Sequence, residues 1–562
     1  MASIQRALSF IRRFRPRPQF ATAARSSPLN DSSASFLSTV GLSRRGSNSS
    51  ASKHRWDPIS ALVFAGPTAV FVGLGVNTAY AETASDAEPI AATEQGEAYV
   101  TGLRRIEDGS VVSNSHTIKW RIFTDKGREL FLKGKIDEAE KFLRSAIDEA
   151  KEGFGPRDPH VASSYNNLAE FYRVRKAFEK AEPLYLEAIS ILEEAFGSDD
   201  VRVGAALHNL GQFYLAQRKL EQAQKCYERA LKIEGRVLGY GHPDYANTMY
   251  HLGMVLHLLG KVKDSETIVE ESIKILEEGG LGETTTCIRR MRYLSQMFLS
   301  SNRAVEAEKL QRKILHILEL SKGWESLDTI VAAEGLALTL QSLGSLSEAR
   351  DLLERCLEAR KKILPHDHIQ VAANMLHLGR VAMHKSNHLR KVNISEARGE
   401  LDKAKTFVDN SIRIAKTVLN CASKNYNSLQ SSDNSNGSAK DQHRALVILL
   451  QSMDLAGLLD IAKCELLEKG LAVFVSHILQ EKNFIFDAEL SLRECIAMFK
   501  EPRIRCLLNS PDVKSEYLSC LKHLTTMVNE NIDGNNERST ALKELRDEAL
   551  HVEAELSPRR RN

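Results

Sequence analysis

Cysteine is sparse in this chain and follows no pattern. Eight cysteines among 562 residues (226, 287, 356, 421, 464, 495, 506 and 520) form no CxxC pair and keep no regular spacing. That excludes a sequence-readable disulfide or zinc framework and favours buried free thiols. Also missing are a phosphate-cradling glycine loop, an HExxH helix and a nucleophile elbow, so no catalytic residue and no cofactor is implied. His384 and His388 stand four apart, but no acidic or cysteine partner lies beside them, and they read as a solvated pair rather than metal ligands. Aromatic residues make up only 6% of the chain, whereas charged residues make up 27%, a balance that suits stacked amphipathic helices. Residues 1–58 hold ten Arg and Lys against two Asp, a net of +8, which leaves −5 for the rest of a chain whose total is +3. The main body therefore gives no electrostatic case for nucleic-acid binding.

Long apolar runs are scarce too, and the one near the N-terminus has a meaning. Residues 1–58 read as an organellar targeting presequence: IQRALSFIRRF forms a basic amphipathic helix, and Ser-rich, acid-poor sequence follows. Residues 59–81 begin with eighteen uncharged residues, ISALVFAGPTAVFVGLGV, and end on Ala79 and Ala81. They read either as a hydrophobic sorting signal with an A-x-A-like cleavage site or as a single membrane span. The expected destination is the mitochondrion, in the intermembrane space or at the inner membrane, with the chloroplast thylakoid as the alternative. Residues 82–115 read as an acidic flexible linker.

What the chain has in abundance is a repeat of 42 residues. Leu168, Leu210 and Leu252 coincide, as do Ala169, Gly211 and Gly253, and then Tyr185, Tyr227 and Val269. Ala139, Ala181, Ala223, Ser265, Ala307 and Ala349 keep the same spacing through six repeats. A fixed period of this size is the signature of a stacked array. Small and large residues at i, i+1, i+4 on two successive segments predict two antiparallel helices per repeat, with the small residues where the axes approach. The array spans 116–420 in about seven repeats. The seventh departs, because Leu378-Gly379 is on time and Ala404 is thirteen residues late, which places an insertion near 384–398. Residues 421–442, with six Ser and four Asn, read as a disordered loop. Residues 443–540 read as C-terminal helices forming a degenerate repeat or cap, in which Ala488, Leu492 and Cys495 fit a second helix. Residues 541–562 read as a charged helix and tail.

YNNLAEFY (165–172), AEPLYLEAISILEEAFG (181–197) and the inter-repeat GYGHPDYA (239–246) resemble the tetratricopeptide repeat, and more narrowly its longer form in kinesin light chains. The resemblance implies an all-α, right-handed superhelical solenoid whose first helices line a concave groove that binds protein or peptide. The position two residues before each Leu-Ala/Gly pair then faces the ligand: Thr124, Asn166, His208, Tyr250, Arg292, Glu334 and Leu376. Four residues further on come Arg128, Glu170, Gln212, Met254, Gln296, Leu338 and Arg380, with Arg121, Arg173, Asn209, His257 and Arg289 nearby. Of these, Arg121, Arg128, Asn166, Arg173, His208, Gln212, Tyr250, His257, Arg289, Arg292 and Arg380 form the candidate groove, a polar ladder suited to an extended backbone and to carboxylates.

Co-chaperones of this repeat family grip a terminal carboxylate with a Lys/Asn/Asn/Lys/Arg set, of which only Asn167 is in place here. The long heptad coiled coil that precedes the repeats in kinesin light chains is replaced by the presequence, the apolar stretch and the acidic linker. The expected function is a non-enzymatic interaction scaffold inside an organelle, with membrane association possible through 59–81. The alternatives are a kinesin-light-chain-like cytosolic cargo adaptor and an enzyme with unrecognised chemistry in 443–562.

Overall fold

The computed structural model describes residues 114–426, 435–469, 475–500, 510–530 and 536–556. The presequence, the apolar stretch and nearly all of the acidic linker lie outside them. Among the described residues there are eighteen α-helices and no strand. In chain order they are α1 (Ser115–Leu132), α2 (Ile136–Phe154), α3 (Pro159–Val174), α4 (Phe178–Phe196), α5 (Val201–Ala216), α6 (Leu220–Val237), α7 (Pro243–Leu258), α8 (Val262–Glu278) and α9 (Thr285–Ser300). There follow α10 (Ala304–Lys322), α11 (Leu327–Ser342), α12 (Leu346–Ile363), α13 (Ile369–Leu389), α14 (Ile394–Tyr426), α15 (Ser435–Lys469), α16 (Val475–Phe499), α17 (Pro511–Glu530) and α18 (Asn536–Leu556). Odd- and even-numbered helices pair, each pair packs on the next, and the result is an all-α solenoid of nine pairs rather than seven or eight.

The period is written into the turns. Gly134, Lys176, Arg218, Gly260, Asn302 and Gly344 all have positive φ, between 58° and 83°, and each stands 42 residues after the last. Each ends a first helix in the same way, with the next amide donating back to a carbonyl five residues earlier, as Lys135 N does to Leu130 O and Lys261 N to Leu256 O, both at 2.9 Å. This closure stops the helix and reverses the chain within three residues. First helices then start on capping side chains: Asp158 and Asp200 accept from amides two residues ahead, and Thr284 from one three ahead.

Within each pair the axes meet at small residues. The six-repeat series from Ala139 to Ala349 is fully buried, as is Ala404. Where the series has Ser265 instead of alanine, its hydroxyl donates to the Gly253 carbonyl at 2.6 Å, so the polar atom is satisfied inside the contact. A Cβ on Gly253 would lie 2.6 Å from Val269 Cγ2, and one on Gly211 would lie 2.8 Å from the Tyr227 ring. Neighbouring second helices are laced by ion pairs about one repeat apart, including Arg312–Glu348 at 2.6 Å and Lys313–Glu277 at 2.8 Å. Exposed pairs such as these orient more than they stabilise.

The insertion is helix, not a protruding loop. α13 runs five residues longer than the sixteen-residue first helices α3 to α11, and α14 begins ten residues before Ala404 where the other second helices begin three before. The extra seven residues are two turns, so Ala397 and Leu401 fall on the face of Ala404 and Val408, and all four are fully buried. The stretch expected as a disordered loop is helical to Tyr426 and again from Ser435, and 427–434 lie outside the described residues. The eighth pair repeats the same joint: a Cβ on Gly457 would lie 2.8 Å from Leu492 Cγ, and Ala488 is fully buried. Its first helix, α15, is long and apolar enough to cross a membrane, but 94% of that apolar window is buried against neighbouring helices. One cysteine expectation fails: Cys495 of α16 and Cys520 of α17 form a disulfide, while Cys226, Cys287 and Cys356 are free thiols. Cys495 keeps the register of the eighth pair but Cys520 sits on α17, which follows no repeat, so spacing carried no sign of the bond.

Gly253→Ala should destabilise the array by about 1–3 kcal/mol, because the β-branched Val269 must move. Gly335→Ala, whose Cβ meets nothing within 4 Å, should instead gain about 0.5–1 kcal/mol from helix propensity. Urea denaturation of the two variants tests the contrast, and equal effects would refute the close-approach account.

Candidate functional site

Each first helix touches a second helix on one side and neighbouring first helices on its flanks, which leaves a narrow strip for solvent. Asn209 Nδ2 donates to Asn166 Oδ1 at 3.0 Å, and Arg290 reaches Asn247 at 3.4 Å, so residues 43 apart meet between adjacent first helices. The candidate ladder lies largely within these joints. Thr124, Glu170, His208, Tyr250, Glu334 and Leu376 are buried. Glu334 is bonded to both Arg360 and Asn374, and Glu170 to Arg173 and Tyr185. Asn167, the one residue that matched the co-chaperone clamp, is buried as well.

The correction is therefore specific. His208 and Tyr250 are core residues, and Arg173, Asn166 and Gln212 are half-buried and committed to internal partners. Arg128 and His257 are half-buried, and burial lowers the His257 pKa. The solvent strip runs three residues earlier, nearly one turn away, through Arg121, Ser163, Ala205, Asn247, Arg289 and Val331. Arg121, Arg289 and Arg292 are exposed, and Arg380 is half-exposed. Burial lowers the Arg292 and Arg380 pKa values from the usual guanidinium range even though both side chains reach solvent, as expected on a wall closely surrounded by protein.

Two polar systems escaped the sequence reading. The first is a chain of hydrogen bonds from the strip into the core. Gln212 Nε2 donates to His208 Nε2 at 2.9 Å, which leaves the ring proton on Nδ1 to donate to Thr248 Oγ1 at 2.8 Å, and Thr248 donates to Glu234 Oε1 at 3.1 Å. Glu234 Oε2 has no partner, and burial pushes this carboxyl up to about 8. Beside it, burial and the neighbouring His208 hold His251 well below the ordinary imidazole value. The second system joins α15 to α17: Asp454 accepts from Ser519 at 2.9 Å and pairs with His523 Nδ1 at 2.6 Å, while Glu516 accepts from Gln451 at 2.9 Å. No repeat register reaches α17, so no sequence signal marked it. Among the described residues no group of three or more His, Cys, Asp or Glu could hold a metal ion.

Family models for the tetratricopeptide repeat match residues 126–194, 202–278 and 329–370. Those segments are tetratricopeptide repeats. An array of this family is a protein–protein interaction scaffold. Similar solved structures include nearly identical repeats of a putative kinesin light chain from Podosopora anserina, at 20% identity over 37% of this chain and 99% of that one, TM-score 0.34. Others are BtubC (BKLC) from P. vanneervenii, at 16% identity over 57% and 96%, TM-score 0.25, and the quorum sensor NprR from B. thuringiensis, at 12% over 76% and 98%, TM-score 0.36. No curated protein is a significant match. The assignment rests on the matched repeats and their joints, not on these scores.

Glu234 supplies a pH test. Its folded pKa lies above the unfolded one, so the native state holds a proton that the unfolded chain releases above about pH 4.5. Stability should fall as pH rises from there to about 8. Glu234→Gln keeps the acceptor for Thr248 without the ionisation, and should gain about 3 kcal/mol near pH 7 and nothing below pH 4. Thermal unfolding across that range would show it; a pH-independent difference would contradict the buried neutral acid.

Proposed function

We propose that the tetratricopeptide array holds an extended, acidic segment of a partner protein along the first-helix strip of α9, α11 and α13, inside an organelle. The observation that carries this is the pairing of arginines. Most guanidiniums in the array have a partner, as in Arg312–Glu348, Arg303–Glu266 and the buried Arg360–Glu334, and Arg218 and Arg398, which have none among the described residues, lie exposed. Arg289, Arg292 and Arg380 make no hydrogen bond or ion pair among the described residues. Two of them are partly desolvated, since burial lowers their pKa values. A desolvated guanidinium without an anion is a poised acceptor for carboxylates, and its planar fork holds them bidentately. Exposed Val331 on α11 stands between them in the chain and adds an apolar contact.

The organellar part of the reading is supported by the basic presequence and the apolar stretch, and by the Cys495–Cys520 disulfide, which suits an oxidising compartment better than the cytosol. The intermembrane space and the thylakoid lumen are both consistent with it. The competing reading, a kinesin-light-chain-like cargo adaptor in the cytosol, predicts that a fluorescent fusion to residues 1–81 stays cytosolic.

A labelled peptide rich in Asp and Glu, titrated by fluorescence anisotropy, tests the strip. Arg292→Glu should weaken binding at least tenfold, and the triple change of Arg289, Arg292 and Arg380 to Glu should abolish it, with circular dichroism unchanged. Binding should also fall steeply with salt. Unchanged affinity in the folded triple variant would rule the strip out.

A further inference from the structure

The final helix pair, α17–α18, is attached by means that the repeats do not use. The Cys495–Cys520 disulfide joins it to α16, and both residues are fully buried. Glu516, Ser519 and His523 of α17 bond to Gln451 and Asp454 of α15, the first helix that follows α13. The apolar part of the joint has two clusters: Ala488 and Leu492 of α16 meet Leu524, Met527 and Val528 of α17 and Leu542 of α18, and Phe499 of α16 stacks on Tyr517 of α17 at 3.7 Å. Glu516 and Asp454 are also the two carboxylates whose charge acts on Arg380 of α13. α15 packs on both α13 and α17, so these acidic side chains stand on helices that adjoin the end of the arginine-bearing strip.

We infer that oxidation of Cys495 and Cys520 locks α17 across that end of the strip, where Glu516 takes the place of an acidic ligand at Arg380, so that thiol state sets access to Arg380. The access half of this inference rests on the acidic-segment reading above. Closure forms one S–S bond and releases two protons and two electrons, which a disulfide donor accepts as it becomes a dithiol. Opening is the reverse exchange: a thiolate of an external dithiol attacks one sulfur, the displaced thiolate takes a proton, and the second thiol of the dithiol resolves the mixed disulfide. Because both sulfurs are buried, exchange proceeds only while α17 is lifted, so the bond adds to a state that the polar and apolar contacts already favour. The two cysteines lie 25 residues apart, and loop-closure entropy alone makes the open form roughly 10²-fold rarer once they are joined.

Hydrogen exchange read by mass spectrometry on the whole chain tests the lock, comparing oxidised protein, protein reduced with a phosphine, and the double variant Cys495→Ala, Cys520→Ala. The amides of α17 and α18 should exchange about 10²-fold faster in the last two, with α3 to α12 unchanged. Chemical reduction of the unaltered chain guards against a folding defect in the variant. The Asp- and Glu-rich peptide should bind the reduced form at least fivefold tighter, and Arg380→Gln should remove that difference. Equal exchange in all three samples, or peptide mapping that finds Cys495 and Cys520 unlinked after treatment with a disulfide donor, would overturn the lock. Faster exchange with equal peptide binding in both redox states would overturn the access half, and a peptide that binds neither form would overturn the acidic-segment reading itself.

Discussion

The close approach of two helices at one small residue is the constraint on which the rest of this structure depends. Ala181, Ala223 and Ser265 are fully enclosed by the partner helix of their own pair, and Gly211 and Gly253 leave no room for a methyl group. With the axes that near, the larger residues beside the contact, such as Tyr185, Tyr227 and Val269, must fill the space towards the next pair. Each pair therefore completes its core only on its neighbour, which is why such arrays gain stability by stacking. The left-handed turn residues serve the same end. They reverse the chain in so few residues that the second helix has no freedom to start elsewhere, and three of the six positions tolerate Lys176, Arg218 and Asn302 where glycine would be free of strain.

The same tightness decides the fate of polar residues on the first helices. With a second helix behind and first helices on both flanks, a side chain one turn away from the strip is enclosed and has to find partners inside. Glu334 does so with Arg360 and Asn374, and His208 with Thr248 and Gln212. These satisfied contacts fix the stacking angle of successive pairs more than they add stability, since exchanging water for a protein partner is nearly neutral in free energy. Glu234 is enclosed with one oxygen unpartnered and no cation beside it among the described residues, and burial keeps it protonated near neutrality.

The fold was legible in the sequence because its determinants are local and repeated. Ala139 to Ala349 at one spacing, and the glycines beside them, state the helix pairs directly, and even the eighth pair could be read from Ala488, Leu492 and Cys495. The site was less legible. Position along a helix fixes which face a residue shares, but not how wide a strip the neighbours leave open, and an error of three residues moves a side chain from solvent to core. Arg289 and Arg292 are exposed as expected of groove residues, whereas His208 and Tyr250 are enclosed. The disulfide and the α15–α17 contacts were illegible for a different reason. They join residues whose separation follows no period, and only tertiary structure brings them together.

Electrostatics then separates scaffold from surface. An array of amphipathic helices with 27% charged residues can satisfy most of its charges from one repeat to the next, and the second-helix layer does so at spacings of 36 and 37 residues. Among the charges left over after such regular pairing, those on the first-helix strip stand apart by position. Arg289, Arg292 and Arg380 fall on the first-helix strip, where the packing leaves side chains solvent-accessible yet crowded by protein. A guanidinium there has lost part of its hydration without gaining an anion, so the interaction that completes it must come from outside the repeats. At Arg380 the chain's own Glu516 and Asp454 act on the guanidinium, and Asp328 acts likewise on Arg292. A ligand's carboxylates would therefore compete with internal ones on both α9 and α13, and only at α13 does a competitor, Glu516, sit on the disulfide-linked α17.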